Sequence, residues 1–490
     1  MKSDSVKTNF IFQFLYQCII MLIPLIVAPY LARTLGQGSL GTYTYINSIV
    51  SYFIILCNLG ISKYGQRVIA ERKDDEVKLR KTFWSLYIFH ILSSVVGLIA
   101  YILFCGFFHF GEVEYYIQGL FIISCLLDCS WLFYGIESFK EIVIRNGIIK
   151  LIEALVIFLC IKSSNDLIIY TLIMSISNLV SSIILIPIVL KKIQPIKFCK
   201  NDFLEHGKPL LVLSISVVAI SLYTIFDKTL LGLLSTKDNV AFYEYSNKII
   251  MIPKIFLGIV GTVLFPRACN LMSNKNNINK IIDNLNKSLS IILFMGIGAS
   301  LGLFAIADPF AKLYYGDAFS ICGSIIKTMT PLILIMGIGD IFRMQILIPN
   351  HKDVQYIICI IVNAIINIIL SLLLIPKIGV YGAVIGTVSA EIFGVVIQGY
   401  LVKEFISFKN IIFCSIPYFV SAGAMLIVIY LIQSILELSL FSLFNQIIFG
   451  ACTYVLLNLI WFCCFDKNRK NNIIYISNIK NTILKKIKKY

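Results

Sequence analysis

Charge is what this chain has least of. Charged residues make up 14 % of it, against about 25 % in an ordinary soluble domain. Acids are scarcest, with 26 Asp and Glu among 490 residues. A soluble protein of this length needs a polar surface that these residues cannot supply. Histidine occurs four times, at His90, His109, His206 and His351. They are scattered and show no metal or acid–base spacing, which removes the common zinc and general-base chemistries. Cysteine is present fourteen times but without a framework. Cys57, Cys105, Cys125, Cys129 and Cys160 lie in or beside apolar runs, and the adjacent Cys463 and Cys464 have no second pair at zinc-finger spacing. They read as small polarizable packing residues. Long polar segments are missing too. The longest, near 62–81, 191–208 and 266–287, leave no room for a soluble catalytic domain.

What fills the chain is apolar: 58 % hydrophobic residues and a mean hydropathy of +0.88. Apolar runs fall near 10–30, 41–61, 83–107, 116–136, 147–161, 167–190, 209–232, 241–264, 288–307, 321–346, 354–375, 380–401, 411–432 and 443–465. Most can cross roughly 30 Å of hydrocarbon as helices. The weakest is 147–161, short and carrying Lys150 and Glu153. The first run is too long for a signal-peptide core and lacks an A-x-A site, so it reads as a retained span. The fold expected is all-α and integral to the membrane, with about fourteen transmembrane helices.

The net charge of +16 would suit nucleic acid, yet the basic residues lie between apolar runs and no compact nucleic-acid motif is present. They mark topology instead. With a cytoplasmic N-terminus, the outer loops carry only Arg33, Lys162, Lys237, Lys312 and Lys377, while the inner segments hold most of the rest. This is a strong positive-inside pattern and puts both termini in the cytoplasm. In the tail, Ile476, Ile479, Ile483 and Ile487 recur at helical spacing beside Lys480, Lys485, Lys486 and Lys488. That fits an interfacial helix on anionic inner-leaflet lipids, or a disordered basic tail.

An internal repeat is visible. Gly41-Thr-Tyr43-Thr-Tyr45-Ile-Asn47-Ser-Ile49 aligns with Ala241-Phe-Tyr243-Glu-Tyr245-Ser-Asn247-Lys-Ile249, and the same offset places Arg67 over Arg267. Spans two and eight are six helices apart, so the halves are parallel repeats about an axis along the membrane normal. The expected organisation is one lobe over 1–200 (spans 1–6), a second over 201–408 (spans 7–12), two added spans over 409–465, and a basic tail over 466–490. Matched lobes suit alternating access.

The stretch Pro29-Tyr-Leu-Ala-Arg33-Thr-Leu-Gly36-Gln-Gly38-Ser-Leu-Gly41-Thr-Tyr43 resembles the opening of Wzx-type polysaccharide flippases, within the MATE-like exporter superfamily. Asn58-Leu-Gly60, Tyr64-Gly-Gln-Arg67 and Phe265-Pro-Arg267-Ala continue the likeness. The resemblance implies a bacterial plasma-membrane transporter that moves undecaprenyl-diphosphate-linked oligosaccharide from the cytoplasmic to the outer leaflet. It implies no enzymatic activity and no cofactor beyond a coupling proton or sodium ion. The partners it suggests are the lipid-linked substrate and polysaccharide polymerase machinery.

Such a substrate needs cations for its diphosphate and hydroxyl or amide groups for its sugars. Ionisable residues within spans are costly and therefore candidates. Lys254, mid-span beside Pro253, is a cavity cation or part of a buried pair. Lys228 and Lys248 lie near Asp227 and Glu244, and Glu244–Lys248 has i,i+4 spacing. Arg343 pairs at i,i+3 with Asp340. Arg33 engages diphosphate or anchors its loop, and Arg67 and Arg267 capture diphosphate or anchor span ends. Asp128, Glu391 and Asp340 are candidates for ion coupling, while Glu153 reads as a local partner of Lys150. Tyr43, Tyr45, Asn47, Tyr243, Tyr245 and Asn247 are candidate sugar contacts, or an aromatic belt. No metal site is expected.

Three rivals remain. A multidrug exporter would favour an apolar or acidic cavity, which the lysines of the second lobe oppose. A lipid II flippase shares the physics and differs in head-group. A membrane polymerase would carry a large outer loop.

Overall fold

A computed structural model of the chain describes residues 6–196, 205–207, 209–210, 225–273, 278–406 and 408–465. The basic tail, 466–490, and most of the seventh expected span, 209–232, lie outside these residues. The helices are α1 (Val6–Thr34), α2 (Gly36–Asn58), α3 (Ile61–Arg72), α4 (Glu76–Phe108), α5 (Val113–Gln118), α6 (Leu120–Leu127), α7 (Ser130–Gly135), α8 (Phe139–Cys160) and α9 (Leu167–Lys192). There follow α10 (225–234), α11 (Lys237–Ser273), α12 (Ile278–Tyr315), α13 (Cys322–Met329), α14 (Pro331–Ile341), α15 (Asp353–Ile378), α16 (Val380–Leu401), α17 (Phe408–Ile435) and α18 (Leu440–Phe465). No strand occurs among the described residues.

The fold is that of an all-α, multi-pass membrane protein. Ten helices among the described residues are long and apolar enough to cross a membrane, or eleven with the bent pair Asp317–Met329 and Pro331–Leu347. This is fewer than the fourteen expected, for identifiable reasons. Of the first helix, Val6–Thr34, only Ile19–Thr34 enters this count, as a shorter apolar stretch. The fifth run sits in α8, which keeps Arg145 and Glu153 buried, at 8 % and 7 % exposure. The seventh run is only partly described.

The spans are inside-out compared with soluble helices. On α15, Ile357, Ile358, Ile361, Ile365, Ile369, Leu372 and Leu373 are exposed, while Asn363, Asn367 and Ser371 are buried at i,i+4 spacing. Lipid accepts the apolar face and the polar stripe turns inward, where its groups find hydrogen-bond partners. Two glycines of the family-like motifs have a backbone reason. Gly36 and Gly60 sit at φ +73° and +75°, where other residues are strained.

Two spans are interrupted. The fourth breaks after α6, where Asp128 is extended (φ −74°, ψ 122°) before α7 begins at Ser130. The tenth bends by 40° at Thr330, with Pro331 opening α14. The tenth ends in a π-helical turn over Phe342–Leu347, a form found often at functional sites.

The chain forms two compact units. The first draws on residues within Met1–Ile252, Phe310–Met329 and Lys352–Ile397, the second on residues within Pro253–Pro309, Thr330–His351 and Gln398–Tyr490. α11 passes from one to the other at Pro253, and α12 returns at Pro309.

Candidate functional site

In the first unit a cationic cluster joins α10 and α11. Lys228 Nζ lies 2.6 Å from Glu244 Oε2, and Lys248 Nζ lies 3.9 Å from Oε1 of the same carboxylate. Lys248 also stands 4.4 Å from the centre of the Tyr245 ring. Sequence spacing pointed to Glu244–Lys248, but the closer partner is Lys228, one helix away. The cluster thus sets two ammonium groups against one carboxylate inside the span region.

Beside it lies a buried acid that spacing alone does not reveal. Asp227 is 4 % exposed. It accepts hydrogen bonds from the hydroxyls of Tyr243 (2.8 Å) and Thr387 (2.7 Å), with Ser371 Oγ at 3.5 Å. Asn367 Nδ2 donates to Thr387 Oγ1 at 3.2 Å. The polar stripe of α15 thus meets α10, α11 and α16 around a carboxylate. Glu391 stands one turn beyond Thr387 on α16 and is partly exposed.

A third feature is a close helix contact. α2 packs against the turn from α10 to α11 with almost no clearance. A Cβ on Gly41 would fall 1.8 Å from the Lys237 carbonyl oxygen, and one on Gly232 would fall 1.9 Å from the Tyr45 ring. Lys237 Nζ donates to the Gly232 carbonyl at 3.0 Å and sits 3.1 Å from the Tyr45 ring centre. Thr229 Oγ1 donates to Ser48 Oγ at 3.0 Å and lies 3.0 Å from the Tyr52 hydroxyl. Arg33 donates to the carbonyls of Leu313 (2.6 Å) and Tyr314 (3.3 Å), and the Tyr314 hydroxyl donates to the Leu25 carbonyl. Segments of the two sequence repeats are therefore sealed together at this contact.

The candidate tyrosines belong to this packing. Tyr45, Tyr243 and Tyr245 are buried at 5 %, 5 % and 2 % exposure, with Tyr243 spent on Asp227 and the Tyr245 carbonyl taken by Tyr315 at 3.0 Å. Tyr43, Asn47 and Asn247 are half-buried. Alternation by two on a helix puts each pair on different faces, and here both faces are covered.

In the second unit Arg343 donates to Asp340 Oδ1 at 2.6 Å, matching the i,i+3 expectation. A Cβ on Gly258 would lie 3.9 Å from Asp340 Oδ2, so this face of α11 meets the pair. Lys254 is one turn back along that same face and half-buried. Arg67 is exposed and paired with Glu71 at 3.0 Å, and Arg267 is exposed.

The remaining candidates converge in the first unit. Asp128 and Lys150 line a cavity of about 380 Å³ together with Arg145, Asn146 and Asn178. Lys150 donates to both oxygens of Glu153 at 2.7 and 2.9 Å, the local pair that the spacing suggested. Arg145 and the asparagines were not singled out from the sequence. The available signal was the charge within α8, where Arg145, Lys150 and Glu153 fall inside one apolar helix.

The family described as Polysaccharide biosynthesis protein matches residues 6–272. The chain belongs to this family. Among relatives of this chain are two named "Putative O-antigen transporter". The one from Shigella dysenteriae is 25 % identical over 395 residues, covering 79 % of this chain and 97 % of its own length. The one from Escherichia coli (strain K12) is 23 % identical, covering 72 % and 86 %. Among solved structures, the lipid II flippase MurJ in an inward closed conformation superposes with a TM-score of 0.75 at 18 % identity, over 93 % of this chain and 98 % of that one. A multidrug resistance MATE family transporter of the MOP superfamily gives 0.54 at 11 % identity, over 78 % and 97 %. The chain shares the all-α fold of these structures.

Proposed function

We propose that this chain flips a lipid-linked oligosaccharide from the cytoplasmic to the outer leaflet of the bacterial plasma membrane by alternating access, as a step in surface polysaccharide biosynthesis. It forms and breaks no bonds in its substrate. Two O-antigen transporter relatives covered along most of their length support the substrate class. The observation that carries the reading is the cluster of Lys228, Glu244 and Lys248, which brings two ammonium groups to one carboxylate among the spans. A diphosphate is anionic and offers oxygens to both lysines, whereas a cationic drug would be repelled. Lys254 with Asp340 and Arg343 repeats the same composition of two bases and one acid. Both termini lie in the cytoplasm, and two six-helix lobes, 1–200 and 201–408, rock about the substrate, with spans over 409–465 attached. The polyprenyl tail stays in lipid throughout, so only sugar and diphosphate need a polar path.

Coupling to a proton or sodium ion runs through Asp227. Its hydroxyl partners supply oxygens but no compensating charge, and intramembrane acids of this kind mark ion pathways.

Removing one lysine would strand Glu244, so the decisive variant neutralises all three: Lys228→Gln with Glu244→Gln and Lys248→Gln. Each charge-assisted hydrogen bond to phosphate is worth about 1.5–3 kcal/mol, roughly ten- to a hundredfold. Surface polysaccharide in a host dependent on this chain is expected to fall at least tenfold at normal protein level. Wild-type polysaccharide at normal protein level would refute the diphosphate role.

A further inference from the structure

The cavity of about 380 Å³ in the first unit differs in chemistry from the lysine cluster. It lies where the fourth span breaks, between α6 and α7, with α1, α2, α8 and α9 completing its wall. Broken spans in membrane proteins line cavities, since freed backbone groups need partners there.

Its charges cancel. Lys150 is held by both oxygens of Glu153, which also accepts from the Ser177 hydroxyl. That leaves one guanidinium, Arg145, and one carboxylate, Asp128. Arg145 is 8 % exposed and is fixed by Nε to Asn146 Oδ1 (3.0 Å) and by Nη1 to the Ser181 carbonyl (2.8 Å). Asp128 Oδ1 accepts from the Ser130 backbone N–H (3.1 Å) and from the Ser130 hydroxyl, and its Oδ2 has no hydrogen-bond partner among the described residues. Asn178 spends Nδ2 on the Met174 carbonyl at 2.9 Å, and its Oδ1 likewise has no hydrogen-bond partner among them. Phe121 adds a half-buried ring to the wall.

This composition selects among ligands. A diphosphate requires net positive charge and a bare cation net negative charge. A neutral pocket with a carboxylate, an amide oxygen, a guanidinium and one aromatic ring fits a molecule with hydroxyls around its rim and an apolar face. That describes a pyranose. The volume lies within the range of about 300–1,000 Å³ seen for small-molecule pockets.

We propose that this cavity binds a sugar ring of the glycan head, with Asp128 and Asn178 accepting from its hydroxyl or amide hydrogens and Arg145 donating, so that these residues set sugar specificity. The proposal rests on the flippase reading above and assigns head-group selection to the first six spans. Sites that hydrogen-bond a substrate hydroxyl discriminate strongly, because an analogue lacking it leaves buried groups unpaired.

The test uses the full chain in nanodiscs and saturation-transfer NMR. The probes are the methyl glycosides of glucose, N-acetylglucosamine and glucuronic acid, with inorganic pyrophosphate and sodium as competitors. At least one glycoside is expected to bind, and binding should weaken tenfold or more in Asp128→Asn and in Asn178→Leu. Pyrophosphate and sodium should not displace it. Asp128→Asn is isosteric and guards against misfolding of the larger change. Absence of binding by all three glycosides, equal binding in both variants, or displacement by pyrophosphate or sodium would each overturn the proposal. The flippase reading fails separately, on wild-type polysaccharide in the triple glutamine variant.

Discussion

Gly41→Leu is expected to abolish transport while leaving the protein inserted and abundant. The Cβ alone would fall 1.8 Å from the Lys237 carbonyl oxygen, and a backbone atom cannot swing aside as a side chain does. α2 must then part from the turn between α10 and α11. Parting them costs the contact of Lys237 with Tyr45 and those of Thr229 with Ser48 and Tyr52. Overpacking of this kind costs about 1–3 kcal/mol, and 3 kcal/mol shifts a two-state equilibrium by roughly a hundredfold. A carrier that cannot close its outer end cannot complete a cycle. The measurement is labelling of Ser48→Cys by a membrane-impermeant maleimide from outside. Ser48 is 3 % exposed in the sealed form. Its labelling should rise at least tenfold when Gly41→Leu is added, and surface polysaccharide should drop to background. Unchanged labelling together with normal polysaccharide would show that this contact is no gate.

The same contact shows how much the sequence discloses. Composition and loop charge give an all-α membrane protein with a repeat, because hydrocarbon imposes those patterns on every residue of a span. The repeat aligns Gly41 with Ala241 and Tyr45 with Tyr245. It cannot show that Gly41 faces Lys237, a residue just before the matching segment, since that depends on how the halves meet. Local pairs were legible: Lys150–Glu153 and Asp340–Arg343 form at the spacing expected. Pairs across helices were not, so Lys228 emerges as the nearer partner of Glu244 only in three dimensions. The signal for Asp227 was present but easy to pass over. Asn363, Asn367 and Ser371 recur every four residues on α15, where the mean hydropathy reaches 2.9. Amide and hydroxyl groups on one face of such a helix need polar partners, and Asp227 serves Ser371 directly and Asn367 through Thr387.

Asp227→Asn is expected to fold and to lose ion-coupled transport. The amide oxygen can still accept from Tyr243 and Thr387, so the hydrogen bonds at 2.8 and 2.7 Å survive. What disappears is the charge, and with it any reason for a proton or sodium ion to enter the site. Asp227→Leu should behave differently. It would leave the Tyr243 hydroxyl without its acceptor, at about 1–3 kcal/mol, and Thr387 with only the Ala383 carbonyl, and protein level should fall. The two variants therefore separate packing from coupling. In the wild type, collapsing either the sodium or the proton gradient should reduce substrate in the outer leaflet, and whichever does so names the ion. In Asp227→Asn, transport should be at least tenfold lower and indifferent to that gradient. Gradient-sensitive transport at the wild-type rate in Asp227→Asn would move the coupling role away from this carboxylate, and Asp128, Asp340 and Glu391 would then be the acids to substitute. The distinction matters for direction. A lysine cluster attracts the diphosphate in either half of a cycle, so movement against a leaflet gradient of substrate would need a second charge whose occupancy differs between the two sides of the membrane.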